Sequence, residues 1–577
     1  MQVFLKINKE KIILLLIAAL GLFFRLYGIN WDQGFHLHPD ERAIVMFTTP
    51  LNFPSSIQQF LSESSPWNPH FFAYGNFPLY LLKGIASIFA DFDPLYLSYQ
   101  KINLVGRAIS AITDLGTLIV LFLLSKKLFN QKVGLLSSFF YSISVFPIQA
   151  SHFYAVDSLL TFFIILTLYQ LIRFYENPSF KNSLFTGVFF GLSLVTKISA
   201  IPLIISVVFA IASDFILIVI KQPHKPNAWL PHVPRFLKRL FLDGVGISTF
   251  TFITFIILQP YALIDFDEFL KQNILQSQMT HNAFIFPYTL QYVNKIPYFY
   301  EIKNVFLFGL GPILAIISFA GVLFFILHLF QKTKNGTAAK EIIIFVFFVT
   351  YFLVVGRFAV GWMRYMLPMY PLFALFAAGF TIKIIAPKLK VLIKNKFILN
   401  TLYLILYTSI LIWPISFMHI YTKDNTRVAA SDWINQNISY GQTLAIEHWD
   451  DSLPLYGAEK YKIITLELYN PDSQFKWNMI SQQLSQTDYI IIASNRLYVP
   501  LMKLIDCQKL YPHPCYTQTN EYYKKLFNGD LGFKKIAEFT SYPKIPIFNI
   551  PINDESADES FTVYDHPKVM IFEKKLD

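Results

Sequence analysis

Hydrophobic positions along this chain gather into long runs separated by short polar stretches. Apolar runs fall at about 12 to 28, 104 to 124, 133 to 148, 158 to 173, 184 to 197, 201 to 220, 241 to 258, 305 to 329, 342 to 356, 365 to 382 and 398 to 416. A helix needs roughly 20 apolar residues to cross a bilayer, so the pattern predicts eleven spans and a polytopic α-helical membrane protein. The two runs flanking Lys197 to Pro202 are short, and they read either as separate spans or as a broken hairpin. From about Tyr421 the pattern changes to that of a soluble α/β module, with strand-like runs at Tyr489 to Ala493 and Val569 to Phe572. The expected domains are residues 1 to 416, with a first outer loop over 29 to 103 carrying membrane-surface helices, and residues 417 to 577.

Composition agrees. Of 577 residues 54% are hydrophobic and only 15% charged, against about 25% charged in soluble domains. The 60 Phe, 32 Tyr and 8 Trp suit spans and interfacial belts. The formal charge of +11 does not indicate nucleic acid, because the basic residues sit in short loops, where they set topology and meet anionic head groups. Lys6, Lys9 and Lys11 precede the first run, and Arg25, Tyr27 and Trp31 follow it in place of a small-residue cleavage site, so it is expected to stay as an anchor.

The positive-inside rule orients the chain. Lys126, Lys127 and Lys132, then Lys221, Lys225, Arg235, Lys238 and Arg239, then Lys332, Lys334 and Lys340, and last Lys383, Lys388, Lys390, Lys394 and Lys396 fall on one side. The other side holds most of the loop acids. The expectation is an N-terminus in the cytoplasm of a cell-membrane protein and a C-terminal module outside. The only cysteines, Cys507 and Cys515, lie in that module, where a disulfide persists if the sulfurs meet, which spacing leaves open.

With that topology, unusual polar residues collect on the outer side. Asp40 and Glu41 follow the first run in Pro39-Asp40-Glu41. Asp157 opens the fourth run in Tyr154-Ala155-Val156-Asp157-Ser158, preceded by His152. Lys197 stands in Thr196-Lys197-Ile198, Asp265 and Asp267 follow the seventh run, and Arg357 and Arg364 flank the loop into the tenth. Charges beside hydrocarbon are costly and need a partner, a wet cavity or a chemical role. Handling a lipid phosphate is such a role, because Arg or Lys pairs with the anion and a carboxylate takes a proton from an attacking hydroxyl. Simpler roles compete, since Pro-Asp-Glu and Asp157 suit helix starts and Lys197 and Arg364 suit snorkelling. His36 and His38 with Asp40 have loose metal-ligand spacing, which leaves a divalent cation open.

These residues carry a resemblance. The Asp-Glu pair after the first span, Phe77-Pro78-Leu79-Tyr80 in the first outer loop, Arg107 ahead of the second span, Asp157, Thr196-Lys197 and Arg364-Tyr365-Met366-Leu367-Pro368-Met369-Tyr370-Pro371 occur in the order seen in GT-C membrane glycosyltransferases. The chain resembles glycosyltransferase family 39, the protein O-mannosyltransferase and aminoarabinose transferase-like superfamily, over roughly residues 10 to 385. The resemblance implies inverting transfer of a monosaccharide from a polyprenyl-phosphate donor to a hydroxyl of a protein, lipid or envelope glycan. It implies Asp40 as catalytic base with Glu41 beside it, Asp157 near the donor sugar or a metal, Arg364 and Lys197 on the phosphate, and Tyr365, Tyr80 and Arg107 as further substrate contacts. Gly75-Asn76-Phe77 stands where aminoarabinose transferases have Glu-Lys ahead of Pro-Leu-Tyr. The rival is a transporter or flippase of a lipid-linked saccharide, which would place ionisable residues at the midplane rather than at one interface.

Overall fold

A computed structural model of the chain describes residues 9–221, 226–334 and 337–575. Every one of the eleven apolar runs is helical, from Lys9–Leu26 to Lys396–Met418. Six helices among the described residues are long and apolar enough to cross a membrane, and a bent pair makes a seventh. The four others, Lys9–Leu26, Phe180–Thr196, Leu203–Lys221 and Ala339–Val355, have 17 to 19 residues. At 1.5 Å per residue they reach about 26–28 Å, just under the roughly 30 Å of a hydrocarbon core. This is a multi-pass membrane protein. Lys6 and Lys225 of the basic clusters lie outside the described residues.

Two local breaks shape the part that matters. The run at 133 to 148 divides into Gln131–Ser142 and Val145–Ser151, bent by 61°. Pro147 causes the division, because its ring would strike the carbonyl of Ile143 in a continuous helix. The runs around Lys197 are two helices, Phe180–Thr196 and Leu203–Lys221, with Lys197 extended between them (φ −163°, ψ 129°). The first packs on Val233–Leu258 and Asp157–Glu176, the second on Ala339–Val355, so they do not merge into one span.

The first outer loop holds the helices Pro39–Thr48 and Phe77–Ala90. Pro39 suits the first helical position, and Asp40 and Glu41 fall in the first turn, where the helix dipole favours acids. His38 caps the helix through Nδ1, which accepts from Glu41 N at 3.4 Å.

The C-terminal module is a mixed sheet. Its strands are β1 (Thr443–Glu447), β2 (Lys462–Leu466), β3 (Tyr489–Ile492), β4 (Phe533–Phe539) and β7 (Val569–Lys574), in the order β2-β1-β3-β7-β4, and β5 (Lys544–Ile545) and β6 (Ile550–Pro551) form a separate hairpin. β1 runs parallel to β2 and β3, and β7 is antiparallel to both neighbours. The two strands legible in the sequence pair centrally, Ile490 opposite Phe572 and Ile491 opposite Ile571. Cys507 and Cys515 are disulfide-bonded.

A buried cluster fastens this module to the helices. His566 lies between Asp554 (2.9 Å) and Asp565 (2.5 Å). Gln149 and Tyr421 both donate to Asp565 Oδ2 at 2.9 Å. Burial works against charge on His566, but the two carboxylates outweigh it and push it up to about 10. That exceeds the roughly 6.5 of an unfolded histidine, so its stabilisation is whole below about pH 6.5 and is lost as pH rises toward 10. We expect the apparent melting temperature of the solubilised protein to fall between about pH 7 and 10. His566→Gln should start lower and flatten that slope, and an equally steep slope in the variant would contradict the assignment.

Candidate functional site

Asp40 lines a cavity of about 210 Å³ with Tyr74, Gln276, Trp362 and Arg364, roofed by Arg496 and Tyr564 of the C-terminal module. Tyr74 donates to Asp40 Oδ1 at 2.8 Å, and Arg364 Nη1 contacts the other oxygen. The guanidinium of Arg364 stacks over Trp362 at 4.8 Å, which fixes its plane. Burial, and then the charge of Asp157, raise the Tyr74 phenol well above its ordinary value, so it stays protonated and donates. Burial first, then Arg364, hold His38 well below its ordinary value. It stays neutral, as its Nδ1 acceptor role requires.

Next to this lies a second cavity of about 300 Å³, lined by Asp157, Lys197, Gln276 and Tyr365 and by apolar side chains that include Val354, Val355 and Phe358. Lys197 donates to Asp157 Oδ1 at 2.7 Å, while Asp157 Oδ2 is buried with no hydrogen-bond partner. The ammonium of Lys197 also sits over the rings of Tyr365 (4.9 Å) and Tyr74 (5.5 Å). Tyr74 lines the first cavity and reaches the Lys197 of the second, with its hydroxyl on Asp40 and its ring under the ammonium. Arg364 also lines, with Asp157 and His38, a small gap of about 20 Å³. The basic groups thus flank the space beside Asp40.

Gly75 keeps Tyr74 in place. Its N–H donates to Thr196 O at 3.1 Å, and a Cβ there would lie 1.6 Å from Val195 O, a backbone atom that cannot swing aside. The first outer loop thus docks on the helix end immediately before Lys197. Gly75→Ala should push Tyr74 off Asp40 by an ångström or so, and misplacement of that size costs about 10²-fold in rate. Unchanged turnover in that variant would remove Tyr74 from the site.

The structure therefore brings together Asp40, Asp157, Lys197, Arg364 and Tyr365. It places Glu41, Arg107 and Tyr80 elsewhere. Glu41 and Arg107 are fully buried. Arg107 pairs with Glu41 (2.6 Å) and Asp32 (2.7 Å), and also donates to Ile29 O at 2.9 Å. Tyr154 N donates to Glu41 Oε2 at 2.9 Å, so this carboxylate ties the outer loop to the segment before Asp157. Burial would raise Asp32, but Arg107 outweighs it and leaves Asp32 below its ordinary value; for Glu41 burial wins and leaves it raised. Tyr80 stacks on Trp67 at 4.9 Å and donates to Trp67 O at 3.2 Å.

Other polar candidates make local ties. His36 bonds Tyr99 O at 2.7 Å, His152 stacks on Tyr421 at 3.9 Å, and Asp265 accepts from Asn68 and His70 at 2.8 Å. Among the described residues no group of three or more His, Cys, Asp or Glu is arranged to hold a metal ion. His36 turns to Tyr99, and His38 Nδ1 serves the helix cap, 4.0 Å from Asp40 Oδ2.

Residues 96–230 match the family model described as dolichyl-phosphate-mannose-protein mannosyltransferase. Across 99% of this chain and 89% of the other, the structure aligns with the archaeal oligosaccharyltransferase AglB from Archaeoglobus fulgidus in complex with an inhibitory peptide and a dolichol-phosphate, at TM-score 0.50 and 12% identity. The fold is that of a GT-C glycosyltransferase. The apo form of the Archaeoglobus fulgidus oligosaccharyltransferase aligns over 99% of this chain and 89% of that one, with TM-score 0.51 and 13% identity. ArnT from Cupriavidus metallidurans bound to undecaprenyl phosphate aligns over 86% of this chain and 95% of that one, with TM-score 0.49 and 12% identity. None of the curated proteins matches the chain by sequence. The sequence did not point to Tyr74, Gln276, Arg496 or Tyr564, nor to Tyr288, which also lines the Asp40 cavity. Tyr74 carries no motif, and Arg496 and Tyr564 reach the site only because the C-terminal module folds back over it.

Proposed function

We propose that this protein transfers a monosaccharide from a polyprenyl-phosphate carrier to an acceptor hydroxyl, with inversion, at the outer face of a cell membrane. The observation that carries the reading is Tyr74, which links the Asp40 carboxylate to the Lys197 ammonium and so puts a proton acceptor beside an anion site. In this reading Asp40 takes the proton of the acceptor hydroxyl as its oxygen attacks the anomeric carbon. The bond from that carbon to the phosphate oxygen breaks, and the phosphate leaves on its carrier. Lys197 and Arg364 balance the phosphate charge, Asp157 orients Lys197, and the apolar wall at Val354, Val355 and Phe358 takes the first isoprene units.

AglB, whose fold the chain shares, is bound to a dolichol-phosphate, which fits a lipid-phosphate donor here. Eleven spans with a cytoplasmic N-terminus would put Asp40, Lys197 and the C-terminal module outside. The Cys507–Cys515 disulfide supports that placement, because disulfides persist in oxidising compartments. Lys197→Met tests the anion site: undecaprenyl phosphate should bind about tenfold or more weakly, a loss of about 1.4 kcal/mol or more. Affinity equal to the wild type would refute the phosphate assignment.

A further inference from the structure

Above the Asp40 cavity lies a third one, of about 280 Å³, near the lower end of the roughly 300–1,000 Å³ of small-molecule pockets. Pro39, Tyr288, Arg496 and Tyr564 line both, so the two are neighbours. Its outer wall is Trp449, Asp450 and Asp451, which follow β1 after His448, and Arg496, which follows β3.

The position in the sheet is a distinctive one. β2 and β3 flank β1 on opposite sides, and all three run parallel. The chain therefore changes direction across the sheet between β1 and β3. In open α/β sheets such a reversal opens a crevice beyond the carboxyl ends of the strands, and ligands bind there. Two further observations point to a ligand. Arg427, 1% exposed, lines the crevice with Nε lacking any hydrogen-bond partner. Trp449 holds φ at +77° and is 45% exposed. A bulky residue in the left-handed region is strained, and such strain collects at ligand clamps.

We propose that this crevice binds a neutral sugar unit of a saccharide acceptor and presents its hydroxyl to Asp40; the inference rests on the transferase reading above. The charges are matched: Arg42 pairs with Asp451 (2.7 Å), Arg427 with Asp450 (2.5 Å) and Arg496 with Glu559 (2.5 Å). The three lining arginines face two lining carboxylates, with Glu559 behind Arg496, so the crevice is close to electrically balanced rather than strongly cationic. Paired guanidinium and carboxylate groups offer donors and acceptors side by side, which suits hydroxyls that do both. The exposed Trp449 face offers an apolar platform for the C–H face of a sugar ring. A peptide recognised by strand addition would seat on a free sheet edge, and the edges here are β2 and β4, not the strand ends at the crevice.

The test uses the full chain in nanodiscs, titrated with neutral oligosaccharides of hexoses and N-acetylhexosamines and with Ser/Thr-containing peptides. At least one saccharide should bind, Trp449→Ala should weaken it at least tenfold at an unchanged melting temperature, and Trp449→Phe should restore much of the affinity. The proposal is overturned if no saccharide binds, if Trp449→Ala binds as the wild type does, or if peptides bind and saccharides do not. Binding of undecaprenyl phosphate to wild type and Lys197→Met, measured in the same preparation, reports separately on the donor side. Saccharide capture at Trp449 with no carrier binding would sink the transferase reading and leave the crevice standing.

Discussion

Asp40→Asn is expected to lower sugar transfer by about 10²–10⁴-fold, the span of general-base catalysis, while leaving carrier binding intact. The amide is nearly isosteric, so the Tyr74 hydroxyl keeps an acceptor at the same place. What is lost is the ability to take a proton from the attacking hydroxyl. The change should appear in kcat, with little movement in the affinity for polyprenyl phosphate, because the groups proposed to hold the phosphate are Lys197 and Arg364. Arg364→Lys makes a useful contrast. It keeps one positive charge but loses the planar stack on Trp362, so both carrier affinity and rate should fall. An Asp40→Asn protein that is folded and transfers sugar at the wild-type rate would exclude Asp40 as the base.

Arg107→Met is expected to have the largest effect on folding. It strips the partner from two carboxylates at once, Asp32 and Glu41, both without solvent exposure. Breaking one buried pair by removing a single partner costs about 3–5 kcal/mol, and whole domains are stable by only about 5–15 kcal/mol. The variant should therefore accumulate poorly and lose structure in the first outer loop, detected as new protease sites between residues 29 and 103. The triple change Asp32→Asn, Glu41→Gln, Arg107→Met should recover much of the yield, since it removes the orphaned charges together. Normal accumulation of Arg107→Met alone would show that the cluster is not what holds the loop.

The helical pattern was legible because it is a property of neighbours: every apolar run is helical, whereas the division of the run at 133 to 148 was not foreseen. Asp40, Asp157, Lys197 and Arg364 were legible because charges at a membrane edge stand out singly. What the sequence hid was the pairing. A buried arginine serving two carboxylates and one opening onto a cavity look the same in one dimension. Arg107 was therefore grouped with Arg364, although one is sealed with Asp32 and Glu41 and the other opens onto a cavity. Tyr80 belonged to an ordered motif, yet its hydroxyl serves the Trp67 carbonyl; Tyr74, six residues earlier and outside any motif, is the tyrosine on Asp40. The crevice at Trp449 could not be read at all, since it depends on β3 taking the far side of β1. Cys507 and Cys515 likewise needed coordinates, because only the fold brings their Cα atoms to 5.2 Å.

The central claim is that a lipid-linked sugar is cleaved from its phosphate here. The measurement that tests it most directly is release of free polyprenyl phosphate from a panel of polyprenyl-phosphate monosaccharides in proteoliposomes supplied with saccharide acceptors, wild type against Asp40→Asn. We expect release from one donor, matched by glycosylated acceptor and abolished in the variant. Carrier movement across the bilayer with the sugar still attached, and no release from any donor, would contradict a transferase and identify a flippase.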